Sequence, residues 1–242
     1  MFPIRDHNPS NRTPWVTWAI IALNLIIYLL TVDWGGNMRG LWLQGALYPE
    51  AVTHGVWLHG LFTYMFLHAG IMHIGGNMLF LWVFGDNLED QLGHFGFAIF
   101  YLLGGLAAAA AQIALEPHSS VPMVGASGAV AAVMGGYLLL FPRARVDILV
   151  IFIIIYKIFT LRAFWVLGAW FAFQLFNSLG AGSDGVAYMA HVGGFVAGVA
   201  MILPRFLRLG GPAFWGQTQG QPPHPSIDYQ ATSVPIVPRR RR

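Results

Sequence analysis

Phe95–Leu115, FGFAIFYLLGGLAAAAAQIAL, is a stretch of 21 residues without a charged side chain. An α-helix needs about 20 mostly apolar residues, at 1.5 Å each, to cross a membrane, so this stretch predicts a membrane-spanning helix. Five further uncharged runs predict five more spans: Trp15–Val32, 68–85, Val124–Phe141, Ala163–Leu179 and Val186–Leu203. A β-barrel would alternate apolar and polar residues, and these runs do not. The sequence therefore predicts an all-α membrane protein with six transmembrane helices.

The composition of the 242-residue chain supports a membrane location. Hydrophobic residues make up 56% and charged residues only 10% of the chain, whereas soluble domains have about 25% charged residues. So few charges argue against a soluble globular enzyme, and the high apolar fraction excludes disorder for most of the chain. Cysteine is absent, which excludes a disulfide framework, a thiolate metal site and a cysteine nucleophile.

The basic residues predict the orientation of the chain. With six spans and the N-terminus inside, 12 of the 13 Lys and Arg residues fall on the inner side and only Arg39 lies outside, in agreement with the positive-inside rule. We predict a short cytoplasmic segment 1–13, a membrane domain 14–209 and a cytoplasmic tail 210–242. The tail is rich in Pro and Gly and ends in four arginines, which is typical of disorder. Asp147–Phe159 is short for a span, and we interpret it as interfacial or re-entrant, with a seventh span as the alternative.

Four polar side chains are predicted to lie at similar depth near the outer ends of three spans. They are His73 and Asn77 on the second span, Ser127 on the fourth and His191 on the sixth. Polar residues inside a membrane are costly and often functional. A serine nucleophile needs an adjacent base such as His191, and His73, Asn77 and the Ser127 backbone N–H can donate to an oxyanion. All ten Asp and Glu residues lie in loops, tails or helix ends, so a Ser–His dyad is predicted rather than a triad.

These polar residues also permit other interpretations. Taken singly, a serine among glycines can be a close-packing residue and a histidine can make an interhelical hydrogen bond. A metal site is disfavoured because His68 and His73 are five residues apart, not the four typical of ligands on one helix face. A transporter is disfavoured because the spans contain no Asp or Glu and no internal repeat is visible.

Four segments, in order along the chain, resemble motifs of the rhomboid intramembrane serine proteases. HAGIMHIGGNM at 68–78 is similar to their second-helix motif, and GDNLED at 85–90 to the segment that closes that helix. GASG at 125–128 matches their GxSG nucleophile motif, and AHVGGF at 190–195 matches their catalytic-histidine motif. GxSG alone is a weak signal, but it is specific in combination with the second-helix motif and the catalytic-histidine motif, each of which lies on a different span. The similarity extends over about Pro14–Pro204.

The resemblance implies a bundle of six helices around a water-filled cavity that opens to the outside. It implies that Ser127 is the nucleophile and that His191 acts as general base and then acid. His73, Asn77 and the Ser127 backbone amide would stabilise the oxyanion. The motif and close-packing glycines would be Gly125, Gly128, Gly194 and Gly198.

The resemblance also implies a biological setting. The substrates would be transmembrane proteins, cut near the outer membrane surface in regulated intramembrane proteolysis, within the plasma membrane of a prokaryote. The expected partners are these substrates and membrane lipids, with no cofactor, no metal and no nucleic acid, and the oligomeric state stays open. Trp34–Leu67 would be the long first external loop and Gly180–Gly185 a mobile cap. The alternative is a catalytically inactive rhomboid-like protein that binds or chaperones membrane proteins; the presence of both Ser127 and His191 argues against it.

Two positions depart from the family pattern. Some bacterial members have a tyrosine four residues after the serine, stacked on the catalytic histidine, but this chain has Ala131 there. Many members carry Trp-Arg in the first loop, where this chain has WLHG at 57–60. The first departure leaves open which group orients His191.

Overall fold

The architecture is taken from a computed structural model, which describes residues 2–32, 39–152, 155–180, 185–227 and 229. Within these residues the chain is mostly helical. The helices are α1 (Trp15–Thr31), α2 (Arg39–Gly45), α3 (Pro49–Thr53), α4 (Gly60–Thr63), α5 (Ile71–Leu115), α6 (Ser127–Leu140), α7 (Ala163–Leu179), α8 (Tyr188–Arg208) and α9 (Pro212–Thr218), with a 3-10 turn at Tyr64–Phe66.

Helix α5 consists of two helices that meet at a kink. Gly93 has φ 71° and ψ 165° in an otherwise helical segment, a backbone conformation that only glycine adopts without strain. The kink divides α5 into 71–92 and 94–115, so the described part of the chain has six apolar helical segments. By length and composition α5 and α8 are able to cross a membrane, while α1, α6 and α7 are shorter apolar helices.

Helix α6 lies at the centre of the bundle. Eleven of its fourteen residues are buried, so other elements surround it on every side. By contrast, α1 and α7 each bury only three residues and expose large apolar side chains such as Leu29 and Phe176. Apolar surface of this extent is not stable in water, so the outer faces of these two helices are suited to contact with lipid.

Glycines let α6 and α8 approach until their backbones touch. A Cβ atom added to Gly194 would collide with the carbonyl oxygen of Gly128, and one added to Gly198 would collide with the carbonyl oxygen of Ala132. Gly135 faces the Phe195 carbonyl in the same way. Small residues at this spacing permit close helix contact in membranes, so the relative position of α6 and α8 is fixed by backbone contact.

The expectation of an all-α protein was wrong, because three segments of the chain form strands. Strands β1 (Phe2–Asp6), β2 (Arg145–Phe152) and β3 (Ile155–Arg162) form one antiparallel sheet in the order β1-β2-β3. The segment 147–159, interpreted as interfacial or re-entrant, is therefore part of a β-hairpin. Its β-branched residues pack well on a pleated sheet, and pairing with the hairpin partner satisfies its backbone groups.

A buried carboxylate holds this sheet together. Asp147, on β2, accepts hydrogen bonds from Arg5 Nε at 2.7 Å, from His7 Nε2 at 2.8 Å and from Thr160 Oγ1 at 2.6 Å. Burial raises the pKa of the Asp147 carboxyl, but the hydrogen bonds from His7, Thr160 and Arg5 outweigh it, so the pKa lies below its ordinary value. The N-terminal segment is thus tied to both strands of the hairpin.

The expectation of disorder was also wrong for the first part of the tail. Residues 212–218 form α9, and Trp215 Nε1 donates to the Leu139 carbonyl at 2.9 Å. Further on, Arg143 N donates to the Gly220 carbonyl at 2.8 Å, and Ile227 N to the His7 carbonyl at 2.7 Å. Proline and glycine composition did not reveal these contacts, because they are made by backbone groups and single aromatic side chains. Residues 230–242, with the four arginines, lie outside the described residues.

Replacing the buried carboxylate tests the sheet. Asp147→Asn should lower the free energy of unfolding at pH 7 by about 1.5–3 kcal/mol, the value of hydrogen bonds to a charged group. The pKa of the Asp147 carboxyl is lower in the folded protein than its unfolded value of about 3.9. The ionised carboxylate therefore stabilises the folded protein above about pH 3.9, and this stabilisation is lost as the pH falls through the folded pKa. The difference from wild type should therefore narrow below about pH 4 in detergent-solubilised protein unfolded by heat. Glu50→Gln, at an exposed position, is the control; an equal difference at pH 3 and pH 7 would contradict the assignment.

A second prediction concerns helix packing. Gly198→Ala should destabilise the bundle by about 1–3 kcal/mol, because the new methyl group meets the Ala132 backbone. Gly168→Ala, on α7, meets nothing within 4 Å and should be neutral or stabilising by up to about 1 kcal/mol. Thermal unfolding of the two variants measures the contrast. Equal melting temperatures would show that α6 and α8 are not in backbone contact.

Candidate active site

Ser127 and His191, predicted from separate motifs, form a hydrogen bond. The distance from Ser127 Oγ to His191 Nε2 is 2.8 Å. Ser127 is the first residue of α6 and His191 the fourth of α8, slightly nearer the helix starts than the sequence predicted. The glycine contacts between α6 and α8 bring the two side chains within this distance, and a histidine nitrogen in hydrogen-bond reach is what activates a serine hydroxyl.

The other ring nitrogen of His191 contacts a residue that the sequence analysis missed. Gln174 Oε1, on α7, lies 2.8 Å from His191 Nδ1, and the Gln174 side chain is buried. Trp170, one turn earlier on α7, lies with its ring centroid 5.9 Å from that of His191. The Tyr188 ring meets the imidazole edge-on at 6.4 Å. These groups surround His191 where Ala131 replaces the tyrosine of some family members.

A sequence signal for Gln174 was present. It is one of two carboxamides in the uncharged run 163–179, and polar side chains within a membrane span are functional candidates. Gln174 was not predicted, because only carboxylates were expected as partners of the histidine.

His73 lies beside the loop that precedes Ser127. A Cβ atom on Gly125 would lie 2.6 Å from His73 Nε2, so only glycine leaves room for the imidazole there. Gly125 also has φ 125°, which favours glycine. The Ala69 backbone N–H points at His73 Nδ1 at 3.4 Å, which leaves Nε2 as the protonated nitrogen. His73 can therefore present a donor near Ser127.

Asn77 follows His73 by one turn of α5 and is buried. Its Nδ2 group has no hydrogen-bond partner among the described residues. A buried donor without a partner costs free energy, so a group that accepts from it is expected. Asn77 is not among the residues that line the cavity described below, whereas His73 is.

The loop before Ser127 is held from three directions. His68 lies before α5, and its Nε2 is 3.5 Å from the Ala126 backbone N–H. The Gly125 N–H donates to the Tyr64 carbonyl at 2.9 Å, and Leu47 and Met123 exchange two backbone hydrogen bonds. The described part of the first loop is therefore packed against the nucleophile loop. The proposed cap at 180–185 lies mostly outside the described residues.

A cavity of about 730 Å³ opens over Ser127 and His191. Its polar lining includes His73, Gln112 and Glu116. Gln112 Oε1 accepts from the Ala190 backbone N–H at 3.2 Å and so caps the first turn of α8. Glu116 is the carboxylate residue in the described lining, but the group bonded to His191 Nδ1 is the uncharged Gln174. Within the described residues, no three His, Asp or Glu side chains are grouped so that they could hold a metal ion.

A family model named Rhomboid domain matches residues 54–208 of the chain. Rhomboid protease GluP of Bacillus subtilis is 33% identical over 131 residues, which are 53% of this chain and 25% of that protein. Rhomboid-like protein 11, chloroplastic, of Arabidopsis thaliana is 35% identical over 127 residues, or 52% and 41%. Rhomboid protease GlpG of Salmonella typhi is 26% identical over 193 residues, or 77% and 61%. The chain thus spans between a quarter and about three fifths of the length of these relatives.

Proposed function

Because the chain belongs to the rhomboid family, whose members are integral membrane proteins, we propose that it is an intramembrane serine endopeptidase acting through a Ser127–His191 dyad. The observation that carries the proposal is the 2.8 Å hydrogen bond between Ser127 Oγ and His191 Nε2. This bond lies at a cavity large enough to admit a peptide segment. A serine and histidine placed only for packing would not need to meet at the wall of an open cavity.

The chemistry proceeds in two halves. Ser127 Oγ attacks the scissile carbonyl carbon while its proton passes to His191 Nε2. The tetrahedral intermediate collapses as the protonated Nε2 gives that proton to the leaving amine, and an acyl-enzyme remains. Water then repeats the sequence: Nε2 takes a proton from the water, the hydroxide attacks the ester, and Ser127 recovers its proton.

The developing oxyanion needs donors close to Ser127. The Ser127 backbone N–H is in the first turn of α6, where amides have no partner within the helix. His73 Nε2 lies against Gly125, which precedes Ser127 by two residues. Asn77 Nδ2 is a buried donor with no partner among the described residues. Donors that are already oriented stabilise the transition state without the cost of reorganisation.

The topology is part of the same proposal. We assign six spans to α1, the two halves of α5, α6, α7 and α8, with both ends of the chain inside. The basic residues at the inner ends support this orientation. The cavity then opens toward the outside, and the sheet and α9 lie inside. Relatives in Bacillus and Salmonella support the plasma membrane of a prokaryote, although a chloroplast relative also matches.

The substrates are transmembrane proteins whose helix unwinds near the outer surface. A peptide bond in a helix is shielded by its own backbone hydrogen bonds, so the helix must open before Ser127 reaches the carbonyl. Water must also enter the cavity for deacylation. Helices with residues of low helix propensity at the cut, and with small side chains there, meet this requirement best.

Removing the serine hydroxyl tests the nucleophile. Ser127→Ala should abolish cleavage of a model transmembrane substrate and labelling by a fluorophosphonate, because both reactions require the Ser127 oxygen. The measurement is in-gel fluorescence of purified protein alongside a cleavage assay. Ser178→Ala, a serine change near the end of α7, is the control and should label as wild type. Unchanged labelling in Ser127→Ala would refute the assignment, and an unlabelled, inactive wild type would favour the inactive binding protein.

Asn77 offers a test of the oxyanion site. Asn77→Ala should lower kcat by up to about 10²–10³-fold with little change in KM, because its amide would contact the oxyanion and not the ground-state carbonyl. Steady-state kinetics in detergent or liposomes give both constants. Asn177→Ala, a carboxamide change at an exposed part of α7, is the control. An unchanged kcat would remove Asn77 from the site.

A further inference from the structure

We infer that Gln174 is the positioning residue of the catalytic histidine, holding the Nδ1–H tautomer of His191 through its side-chain carbonyl oxygen. The inference rests on the proposed serine protease function and deepens it. It also answers which group orients His191 in a chain with Ala131 in place of the stacking tyrosine.

The hydrogen-bond directions define the tautomer. Ser127 can lose its proton to His191 only if Nε2 carries a lone pair, so a neutral His191 must carry its hydrogen on Nδ1. That hydrogen needs an acceptor, because the imidazole is partly buried. Gln174 Oε1, 2.8 Å from Nδ1, is the acceptor found there among the described residues. The 2.8 Å bond on the other side of the ring completes a chain from Ser127 through His191 to Gln174.

The position of Gln174 on α7 indicates that its contact with His191 is specific, because few residues of this helix are buried. Only Ala163, Leu167 and Gln174 are buried on α7, and the neighbouring Phe173 is 59% exposed. A carboxamide facing inward from such a helix loses its hydration and needs a partner. Trp170 on the same helix lies beside the imidazole, so α7 constrains the ring in two directions.

An uncharged acceptor suits this location. A carboxylate at the same distance would stabilise the imidazolium and so make the resting base protonated at higher pH. A carboxamide selects the tautomer without adding a charge to the apolar helix. When His191 takes the serine proton, its Nδ1–H becomes a charge-assisted donor and the bond to Gln174 strengthens. The residue therefore acts on the catalytic step more than on substrate binding.

Three variants separate positioning from structure. Gln174→Met keeps the length of the side chain but removes the acceptor, and we expect a kcat roughly tenfold to a hundredfold lower with KM within about twofold. Gln174→Glu keeps an acceptor, so above neutral pH it should recover much of the activity that Gln174→Met loses. The acid limb of its pH–rate profile should lie at higher pH than that of wild type, because the carboxylate favours the imidazolium. Asn177→Leu, the matched amide-to-apolar change on α7, should behave as wild type.

A spectroscopic measurement makes the test independent of catalysis. In ¹⁵N-histidine-labelled protein, the resonances of His191 are identified by their loss in His191→Gln. Wild type should show His191 protonated at Nδ1, and Gln174→Met should show a mixture of tautomers or the Nε2–H form. If Gln174→Met keeps both the wild-type tautomer and the wild-type kcat, the inference is overturned. If wild type neither cleaves nor labels but shows the Gln174-dependent tautomer, the proposed function fails while the hydrogen bond stands.

Discussion

Backbone contact between α6 and α8 is the constraint on which the candidate site depends. Gly194 lies against the Gly128 carbonyl and Gly198 against the Ala132 carbonyl, so the two helices cannot slide or rotate without a clash. Ser127 begins one of these helices and His191 lies in the first turn of the other. Their 2.8 Å separation follows from this contact. Helices kept apart by side chains would leave the hydroxyl and the imidazole too far apart to exchange a proton.

The same contact explains why α6 is built from small residues. A helix surrounded on all sides can fit close neighbours only if its side chains are short, and α6 has Gly or Ala at six of its fourteen positions, including Gly128, Ala132 and Gly136. The peripheral helices have the opposite composition, with large apolar side chains on their outer faces. Packing between spans gains little from apolar burial when lipid is equally apolar. The shapes of the contacting side chains therefore determine how these helices pack.

The sequence predicted the helical core because the relevant signals are local. Each uncharged run predicts one helical segment, and GASG and AHVGGF predict where Ser127 and His191 lie. The sheet was missed because 147–159 is apolar and short, and only backbone pairing, between β2 and β3 and with β1 about 140 residues away, distinguishes strands from an interfacial helix. The docking of 212–227 was missed for the same reason. Its contacts are hydrogen bonds of backbone groups and of the Trp215 indole to distant parts of the chain, which composition does not record. Gln174 was missed because its role depends on which face of α7 points inward.

The distribution of charge follows from where water is available. Near the sheet and the start of α1 the chain buries carboxyl groups that have several hydrogen-bond partners: Asp147 receives three side-chain hydrogen bonds, and Glu89 accepts from the Val16 and Thr17 backbone. A carboxylate at a helix N-terminus is favoured by the exposed amides there. Among its described residues the candidate site has no such ion pair; Ser127, Gln174 and Asn77 have uncharged side chains, and His191 has a neutral form. Within a bundle of apolar helices an unpaired charge costs several kcal/mol, whereas a neutral polar group costs free energy only where its hydrogen bonds are not formed. In the proposed mechanism, a proton relay built from neutral groups lets charge appear only during the reaction, when the oxyanion and the imidazolium form together and stabilise each other.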